Sequence, residues 1–493
     1  MRRTKILATV GPACDTPDRL LKMLEAGTDA FRLNVSHGTP EEHGTTLTRL
    51  EAARRHAKRE TAIVVDVQGP KLRIGELADG AIQLTRGGSW TLDRDVSEGD
   101  VRRVYVELPS FERAARPGDP VLLGDGDVVL SVVRADSTTI ETKVINGGTV
   151  HSHAGVFLPR ARLRTAVFGP EDRAEAALAL QHGFDYLALS FVRDEEDILA
   201  ARRWLDGRPG GRSVGIIAKI ERAEALGAIN RILRAADGIM VARGDLGIEV
   251  PLERLALEQK MLIRRANAAG KFSIVATQML LSMLTSSRPT RAEATDVANA
   301  VLDGADAVML SEESAVGQHP IEAVRWLDRI AKATEVAFDP RPARKGIEPG
   351  DSGATELSVA RAAVDLAENV EARAIVTPTH SGRTARLIAA LRPACPVLAL
   401  SSSESVRRRL SIVRGVRSFP ALAHSDLQSL RQRSLQLLPM VGGSPTGPIV
   451  LTAGYPVEGR PTNLVTLVDA EAGPTAPIPG PGRPVSRSRR AGY

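Results

Sequence analysis

The stretch Val214–Pro251, VGIIAKIERAEALGAINRILRAADGIMVARGDLGIEVP, decides the reading of the fold. Val214 to Ile220 is apolar and rich in β-branched residues, and it ends in charge at Lys219 and Glu221. Such a run, marked by Gly215 and followed by an Ala-rich helical pattern, predicts a buried parallel strand. Side chains alternate along a strand, so Lys219 and Glu221 are expected to face the same way. A second apolar run, Gly238–Ala242, ends in Arg243-Gly244-Asp245-Leu246-Gly247. Again a carboxylate lies just past a strand end, in a Gly-flanked turn with backbone N–H groups to offer. Parallel α/β folds place their chemistry at the C-terminal ends of strands. One ammonium, two carboxylates and a Gly turn suit Mg²⁺ and a phosphorylated acid, because Mg²⁺ is held by one or two carboxylates plus substrate phosphates. The competing reading is two strand-end salt bridges. That both pairs fall on adjacent strand ends favours the site.

Working outward, strand-like runs recur, each with a helical pattern after it. Before the opening stretch come Lys5–Val10, Ala30–Asn34, Ala62–Val67 and Asp185–Phe191; after it come Phe272–Ala276 and Ala307–Leu310. Thr290-Arg291-Ala292-Glu293 reads as a capping box opening a helix. Between the third and fourth strands, from Lys71 to about Val156, the text changes to short β segments with Gly and Asp turns, such as Glu98-Gly99-Asp100 and Pro117-Gly118-Asp119. This predicts a (β/α)₈ TIM barrel formed by residues 1–70 and 157–340, with a small all-β lid domain inserted at 71–156. Residues 340–353 read as a linker. Residues 354–470 alternate again, with a helix Glu356–Asn369 and strands at Ala374–Val376 and Ile449–Thr452, as in an open doubly wound α/β domain. Residues 471–493 are Pro, Gly, Ser and Arg and are expected to be disordered.

Bulk properties narrow the class. The 493 residues exceed one ordinary core, so two or three domains are expected. No run is apolar enough to span a bilayer, so no membrane partner is expected. The chain opens on Met1-Arg2-Arg3-Thr4-Lys5 and passes at once into a strand, so no N-terminal extension is expected. Cys14 and Cys395 make neither a disulfide framework nor a metal knuckle, which fits a reducing cytoplasm. The net charge of +6 raises nucleic acid as a partner. Four arginines (Arg483, Arg487, Arg489, Arg490) lie beyond Glu471 with no acidic residue after it, and without them the balance falls to +2. Aromatics are only 3% of the chain, too few for base-stacking platforms, so no nucleic-acid partner is expected.

Five motifs, in order along the chain, resemble those of the pyruvate kinases. They are Thr4–Ala13 (TKILATVGPA), Phe31–Gly38 (FRLNVSHG), Ala218–Glu221 (AKIE), Arg243–Gly247 (RGDLG), and Ala276–Leu280 (ATQML) with Ser287–Glu293 (SRPTRAE). The resemblance covers Arg3 to about Val468. It implies Mg²⁺-dependent (or Mn²⁺-dependent) phosphoryl transfer from phosphoenolpyruvate to ADP, giving pyruvate and ATP as the last step of glycolysis. It also implies an allosteric homotetramer of the cytoplasm. By resemblance, Glu221 and Asp245 hold the divalent metal and Lys219 lies beside the moving phosphoryl group. Arg32 contacts the phosphate, Arg73 and Asn34 belong to the nucleotide side, and Gly244 and Asp245 offer N–H groups to the substrate carboxylate. Thr277 binds that carboxylate and orders the proton relay, and Ser190 with Phe191, Val192 and Arg193 forms another pocket wall. His37 reads as a turn and packing residue. Two other readings compete: a Mg²⁺-dependent barrel lyase acting on pyruvate or oxaloacetate, which leaves the lid unexplained, and a nucleic-acid binder using the Arg tail.

Departures from the family pattern matter equally. Glu312 stands where the family usually has Gly, Arg160 follows Leu158-Pro159 where Gly is usual, and Leu163-Arg164-Thr165-Ala166 lacks the usual Leu-Pro. The monovalent cation site of the family corresponds to Asn34, Ser36, Asp66 and the carbonyl of Val67. Potassium-dependent members usually carry Glu after the Gly-Pro that follows this Asp, and here Lys71 stands there. The expectation is that the Lys71 ammonium replaces K⁺, so that K⁺ is not required. In the C-terminal domain, Thr379, Ser381, Gly382, Arg383 and Thr384 resemble the family's loop for a phosphorylated effector. The alternative is a capped helix with a surface Arg. The acidic loop Pro456–Pro461 argues against a bisphosphate.

Overall fold

The computed structural model describes residues 2–57, 59–108, 110–124, 126–159, 165–340, 347, 353–421, 427–441, 447–454 and 462–469. Arg160, Leu163 and Arg164, most of the expected linker, the loop from Pro456 and the Arg-rich tail lie outside the described residues. Eight parallel strands close into a barrel in sequence order: β1 (Lys5–Val10), β2 (Ala30–Asn34), β3 (Ala62–Asp66), β4 (Tyr186–Leu189), β5 (Gly215–Ile220), β6 (Gly238–Ala242), β7 (Phe272–Ala276) and β8 (Ala307–Leu310). β1 closes the ring by pairing with both β2 and β8. The strands are buried throughout, save Asn34 at the end of β2, as both-face coverage demands.

Alternation along each strand sorts the core into two layers. Ile6, Ala8, Phe31, Leu33, Ile63, Val65, Ile216 and Ala218 pack with the surrounding helices. Leu7, Ala30, Ala62, Val64, Tyr186, Ala188, Ile217, Met240, Phe272 and Met309 form a second cluster, on the strand face pointing into the barrel. The same parity carries this inner row on to Thr9, Arg32, Asp66, Ser190 and Lys219 at the C-terminal ends of β1 to β5. Helix starts follow local rules. Thr39 and Thr290 close capping boxes with Glu42 and Glu293, and Pro17, Pro40 and Pro170 begin their helices.

Between β3 and β4 the chain builds the all-β lid. Its six-stranded sheet has the order 156–157, 120–123, 128–135, 139–146, 89–93, 103–105, and strands 81–84 and 148–151 pair separately. Trp90, Leu92, Phe111, Leu130 and Ile140 fill its core. The C-terminal domain is a five-stranded sheet, ordered Val416–Pro420, Val397–Ser401, Ala374–Pro378, Pro448–Ala453, Leu464–Asp469, with only the last strand antiparallel. Among the described residues no helix is long and apolar enough to cross a membrane.

The N-terminal end of the barrel is plugged by aromatics and continues into the C-terminal domain. Tyr186 and Phe272 meet edge-to-face with centroids 5.3 Å apart, and the Tyr186 hydroxyl donates to the carbonyl of Arg409 at 2.9 Å. Gly215 and Gly238 make room for these rings: a Cβ on Gly215 would strike the Tyr186 ring, and one on Gly238 the Phe272 ring. Gly238→Ala is therefore expected to overpack this layer and destabilise the protein by about 1–3 kcal/mol. Thermal melting checks this. An unchanged Tm would show that the aromatic plug yields freely.

Candidate active site

The inner row at the C-terminal strand ends converges on one buried ammonium. Lys219 Nζ lies 3.1 Å from Asp66 Oδ1 and 3.0 Å from Glu221 Oε1, and donates to Ser190 Oγ at 2.6 Å. Asp66 Oδ2 accepts from Arg32 Nε at 2.6 Å, and Arg32 Nη1 reaches Thr9 Oγ1 at 3.1 Å. The Ser190 hydroxyl donates to the carbonyl of Val67 at 2.7 Å, and the amide of Phe191 donates to Glu221 Oε2 at 2.7 Å. Four strand ends, β2 to β5, are thus tied through charge.

Burial and charge oppose each other here. Burial alone would push Lys219 below an ordinary lysine, yet Asp66 and Glu221 outweigh it and its pKa is raised. Burial would raise Asp66, but Lys219 and Arg32 hold it below the usual carboxylate range. Glu221 goes the other way. Burial pushes it up, and the carboxylates of Asp245 and Asp66 add to that against Lys219. Glu221 is the carboxylate of this group whose charge is least compensated.

Above the cluster opens a cleft of about 1060 Å³, lined by Arg32, Asn34, Lys71, Lys219, Glu221, Gly244, Asp245 and Thr277 among others. It also takes in Gly11, Pro12, His37, Glu41 and Glu312. Around Lys219 the cations Arg32, Lys71 and Lys219 stand with the carboxylates Asp66, Glu221 and Asp245, and the rest of the lining adds Asp15, Glu41, Glu42, Glu312 and Glu313 against Arg49, so carboxylates are in excess along the cleft. Two carboxylates on one cleft, one of them raised by the other, fit a hard divalent cation that takes its remaining oxygens from substrate and water. No cluster of three potential ligands of the His, Cys, Asp or Glu type occurs among the described residues.

The loop after β7 is strained. Thr277 has φ 68° and Gln278 φ 52°, in the left-handed region where a β-branched residue is a marked outlier. Thr277 Oγ1 accepts from the amide of Gly244 at 2.9 Å and donates to the carbonyl of Ala276 at 2.6 Å, so the Gly244 N–H expected to be free is engaged. Two residues not singled out in the sequence brace this loop. Arg243 donates to the carbonyls of Ala276 and Thr277 while its Nη1 grips both oxygens of Asp296. Glu313, buried past β8, accepts from the amides of Leu280 and Ser311. Their only signal was position: an Arg opening the Arg243–Gly247 turn and a second acid beside Glu312.

Other expected residues fall as follows. Asn34 lines the cleft, and its Oδ1 accepts from the amide of Ser36 at 3.3 Å. Arg73 donates to the carbonyl of His153 in the lid at 3.0 Å, and its charge helps burial lower the pKa of His37. Lys71, expected to replace a cation among Asn34, Ser36, Asp66 and Val67, instead points to Asp245, with Nζ 3.3 Å from Oδ1. The reason is electrostatic: Asp66 already carries Arg32 and Lys219. In the C-terminal domain, Thr379 Oγ1 accepts from the amide of Gly382, Arg383 lies 3.3 Å from Glu356, and Thr384 meets Thr462.

Comparison with known proteins gives one answer along most of the chain. Residues 1–324 match the family model for the pyruvate kinase barrel domain, and residues 357–468 match that for the pyruvate kinase alpha/beta domain. The chain is 39% identical to a pyruvate kinase of Geobacillus stearothermophilus over 470 residues, covering 94% of this chain and 80% of that one. It is 41% identical to one from Agrobacterium vitis over 472 residues, covering 94% and 96%. A crystal structure of a pyruvate kinase from Cryptosporidium parvum superposes with a TM-score of 0.88 at 34% identity, covering 95% of this chain and 96% of that one. The barrel with its inserted lid, the C-terminal α/β domain and these matches together place the chain in the pyruvate kinase family of phosphotransferases.

Proposed function

We propose that this protein transfers the phosphoryl group of phosphoenolpyruvate to ADP at the cleft above Lys219, yielding pyruvate and ATP. The observation that carries this is the buried ammonium of Lys219, fixed by Asp66, Glu221 and Ser190 and facing the same cleft as Arg32, Asp245 and Thr277. Phosphoryl transfer asks mainly for positioning and charge neutralisation over in-line oxygens. Lys219 stands ready for the charge developing on the moving group, and Arg32 presents its fork to the phosphate. Glu221 and Asp245 would hold Mg²⁺ or Mn²⁺, which would supply positive charge against the charge of the substrate's oxygens. The excess of carboxylates along the cleft supports this, because an anionic substrate then needs a cation of its own. Thr277 is assigned to the substrate carboxylate and to the proton that the enolate takes up, for which its hydroxyl would turn from the Ala276 carbonyl. Asn34 and Arg73 are assigned to the nucleotide side.

The expected boundaries, barrel 1–70 plus 157–340, lid 71–156 and regulatory domain 354–470, belong to the same proposal. Family membership is also the ground for proposing a glycolytic homotetramer of the cytoplasm. We further propose that K⁺ is dispensable. The carboxylate of Asp66 is already met by Arg32 and Lys219, the Val67 carbonyl by Ser190, and Lys71 adds a fixed positive charge to the cleft.

Coupled measurement of pyruvate, with and without ADP, tests the reaction itself; pyruvate formed at equal rates without ADP would point to a lyase. Lys219→Met is expected to fold and to lose at least about a hundredfold in turnover. Glu221→Gln should raise the Mg²⁺ requirement about tenfold or more, as an amide replaces an anionic oxygen. Near-normal turnover of Lys219→Met at saturating Mg²⁺, or an unchanged Mg²⁺ requirement in Glu221→Gln, would refute these roles. Turnover in tetramethylammonium buffer should rise less than about tenfold on adding KCl, a barrier change under about 1.4 kcal/mol. Lys71→Glu should become K⁺-dependent.

A further inference from the structure

The chain passes between barrel and lid twice, after β3 and before β4, and one carboxylate meets both crossings. Asp172 stands in the first turn of helix Pro170–His182, which leads the chain back into the barrel. Its Oδ2 accepts from the amide of Gly169, at the start of that helix, at 3.0 Å. Its Oδ1 accepts from the amide of Gly69, 3.1 Å away, where the chain leaves β3 for the lid. The first bond is half of a capping box and serves the helix. The second does nothing for the helix, because Gly69 lies 103 residues earlier in the chain. Asp172 is buried, and burial pushes its carboxyl up while the amides of Gly169, Gly69 and Gln68 act against that.

What Gly69 touches gives this bond its consequence. Gly69 has φ 65°, and a Cβ there would come within 3.1 Å of the Ser190 carbonyl oxygen and 3.2 Å of Ser190 Cβ. The turn therefore rests directly on the residue whose hydroxyl accepts from Lys219 at 2.6 Å and donates to the Val67 carbonyl at 2.7 Å. The carbonyl of Gly69 accepts from the amide of Lys71 at 2.9 Å, and the Lys71 ammonium lies 3.3 Å from Asp245. One turn thus borders the supports of two cations at the cleft. The helix beneath it is fixed in its own right: one turn past Asp172, Glu175 lies 2.9 Å from His43 of helix Pro40–His56.

We propose that Asp172 is a positioning residue for the phosphoryl transfer: it clips the outgoing and returning chain of the lid to one helix start, and through Gly69 it sets Ser190 against Lys219 and Lys71 against Asp245. The part in turnover rests on the function proposed above; the clip itself does not. A carboxylate suits this task because it only accepts and offers one oxygen to each of two backbone donors. Hydrogen bonds to an ionised acceptor are also stronger than those between neutral groups. Removing the carboxylate would leave the amide of Gly69, in a partly buried turn, without its acceptor.

Hydrogen–deuterium exchange on the full chain tests the clip without any substrate. In Asp172→Ala, the amides of residues 67–71 and of 169–173 are both expected to exchange at least about tenfold faster, with strands β5 to β7 unchanged. Faster exchange confined to 169–173 would make Asp172 a helix cap alone and overturn the proposal. Turnover is then measured well below the Tm of the variant, where the folded fraction is constant. The kcat for pyruvate formation should fall about tenfold or more, with the KM for phosphoenolpyruvate within about threefold, because Lys219 acts on charge that develops during transfer. Faster exchange in both segments with an unchanged kcat overturns the positioning role. A wild type that forms no pyruvate refutes the function proposed above, while the exchange experiment still decides the clip. If Asp172→Ala does not fold, Asp172→Asn takes its place in both measurements: it has the same shape but one acceptor oxygen, so one of the two backbone N–H groups would face its NH₂.

Discussion

The ammonium of Lys219 is buried, and a buried charge is tolerated only when it is paired and hydrogen-bonded. Its partners come from three strands: Asp66 closes β3, Ser190 follows β4, and Glu221 follows β5. Arg32 of β2 completes the set through Asp66. The arrangement exists only if the barrel closes with these strands in register, as in the pairings Asn34 to Asp66 and Leu189 to Ala218. A slip of one residue would turn Lys219 toward the helices and leave Asp66 uncompensated in the interior. The geometry of the site and the closure of the barrel thus depend on the same contacts.

Around this fixed cluster the protein holds strained backbone. Phe191, Thr277 and Gln278 all have positive φ, and each follows a barrel strand at the cleft end. Such conformations cost of order 1–3 kcal/mol each and persist only when surrounding contacts over-determine them. The amide of Phe191 is held by Glu221, and the Thr277 loop by Arg243, Gly244 and Glu313. The strain is local, on the loops that present side chains to the cleft, while the strands beneath are regular.

The opposite end of the barrel is built for docking. The inner core cluster runs without a break from Leu7 and Phe272 into Ile375, Val397 and Leu410 of the C-terminal domain. Polar ties lie beside it: Lys5 Nζ donates to the carbonyl of Val416 at 2.7 Å, and the amide of Ala62 donates to Ser411 Oγ at 3.0 Å. Strands β1 and β3, whose far ends feed the cleft, are therefore anchored at their near ends to the C-terminal domain.

The sequence by itself determined the strand–helix alternation, the interruption after the third strand, and the parity that turns Lys219 and Glu221 inward. Each of these is local, since apolar runs, glycines, caps and the period of two are written within a few residues. The order and content of the five motifs, likewise local, also carried the family. What only the tertiary structure decided were pairings between distant residues. Arg243 was visible as a letter, but its grip on the Thr277 loop needs helix Arg291–Leu302 to bring Asp296 to it. Lys71 could be placed in the motif, yet the carboxylate it faces depends on which acids are already satisfied, and Asp66 is. The Nη2 of Arg414, without a hydrogen-bond partner among the described residues, had no sequence signal, because an arginine's partners are set by how two domains meet.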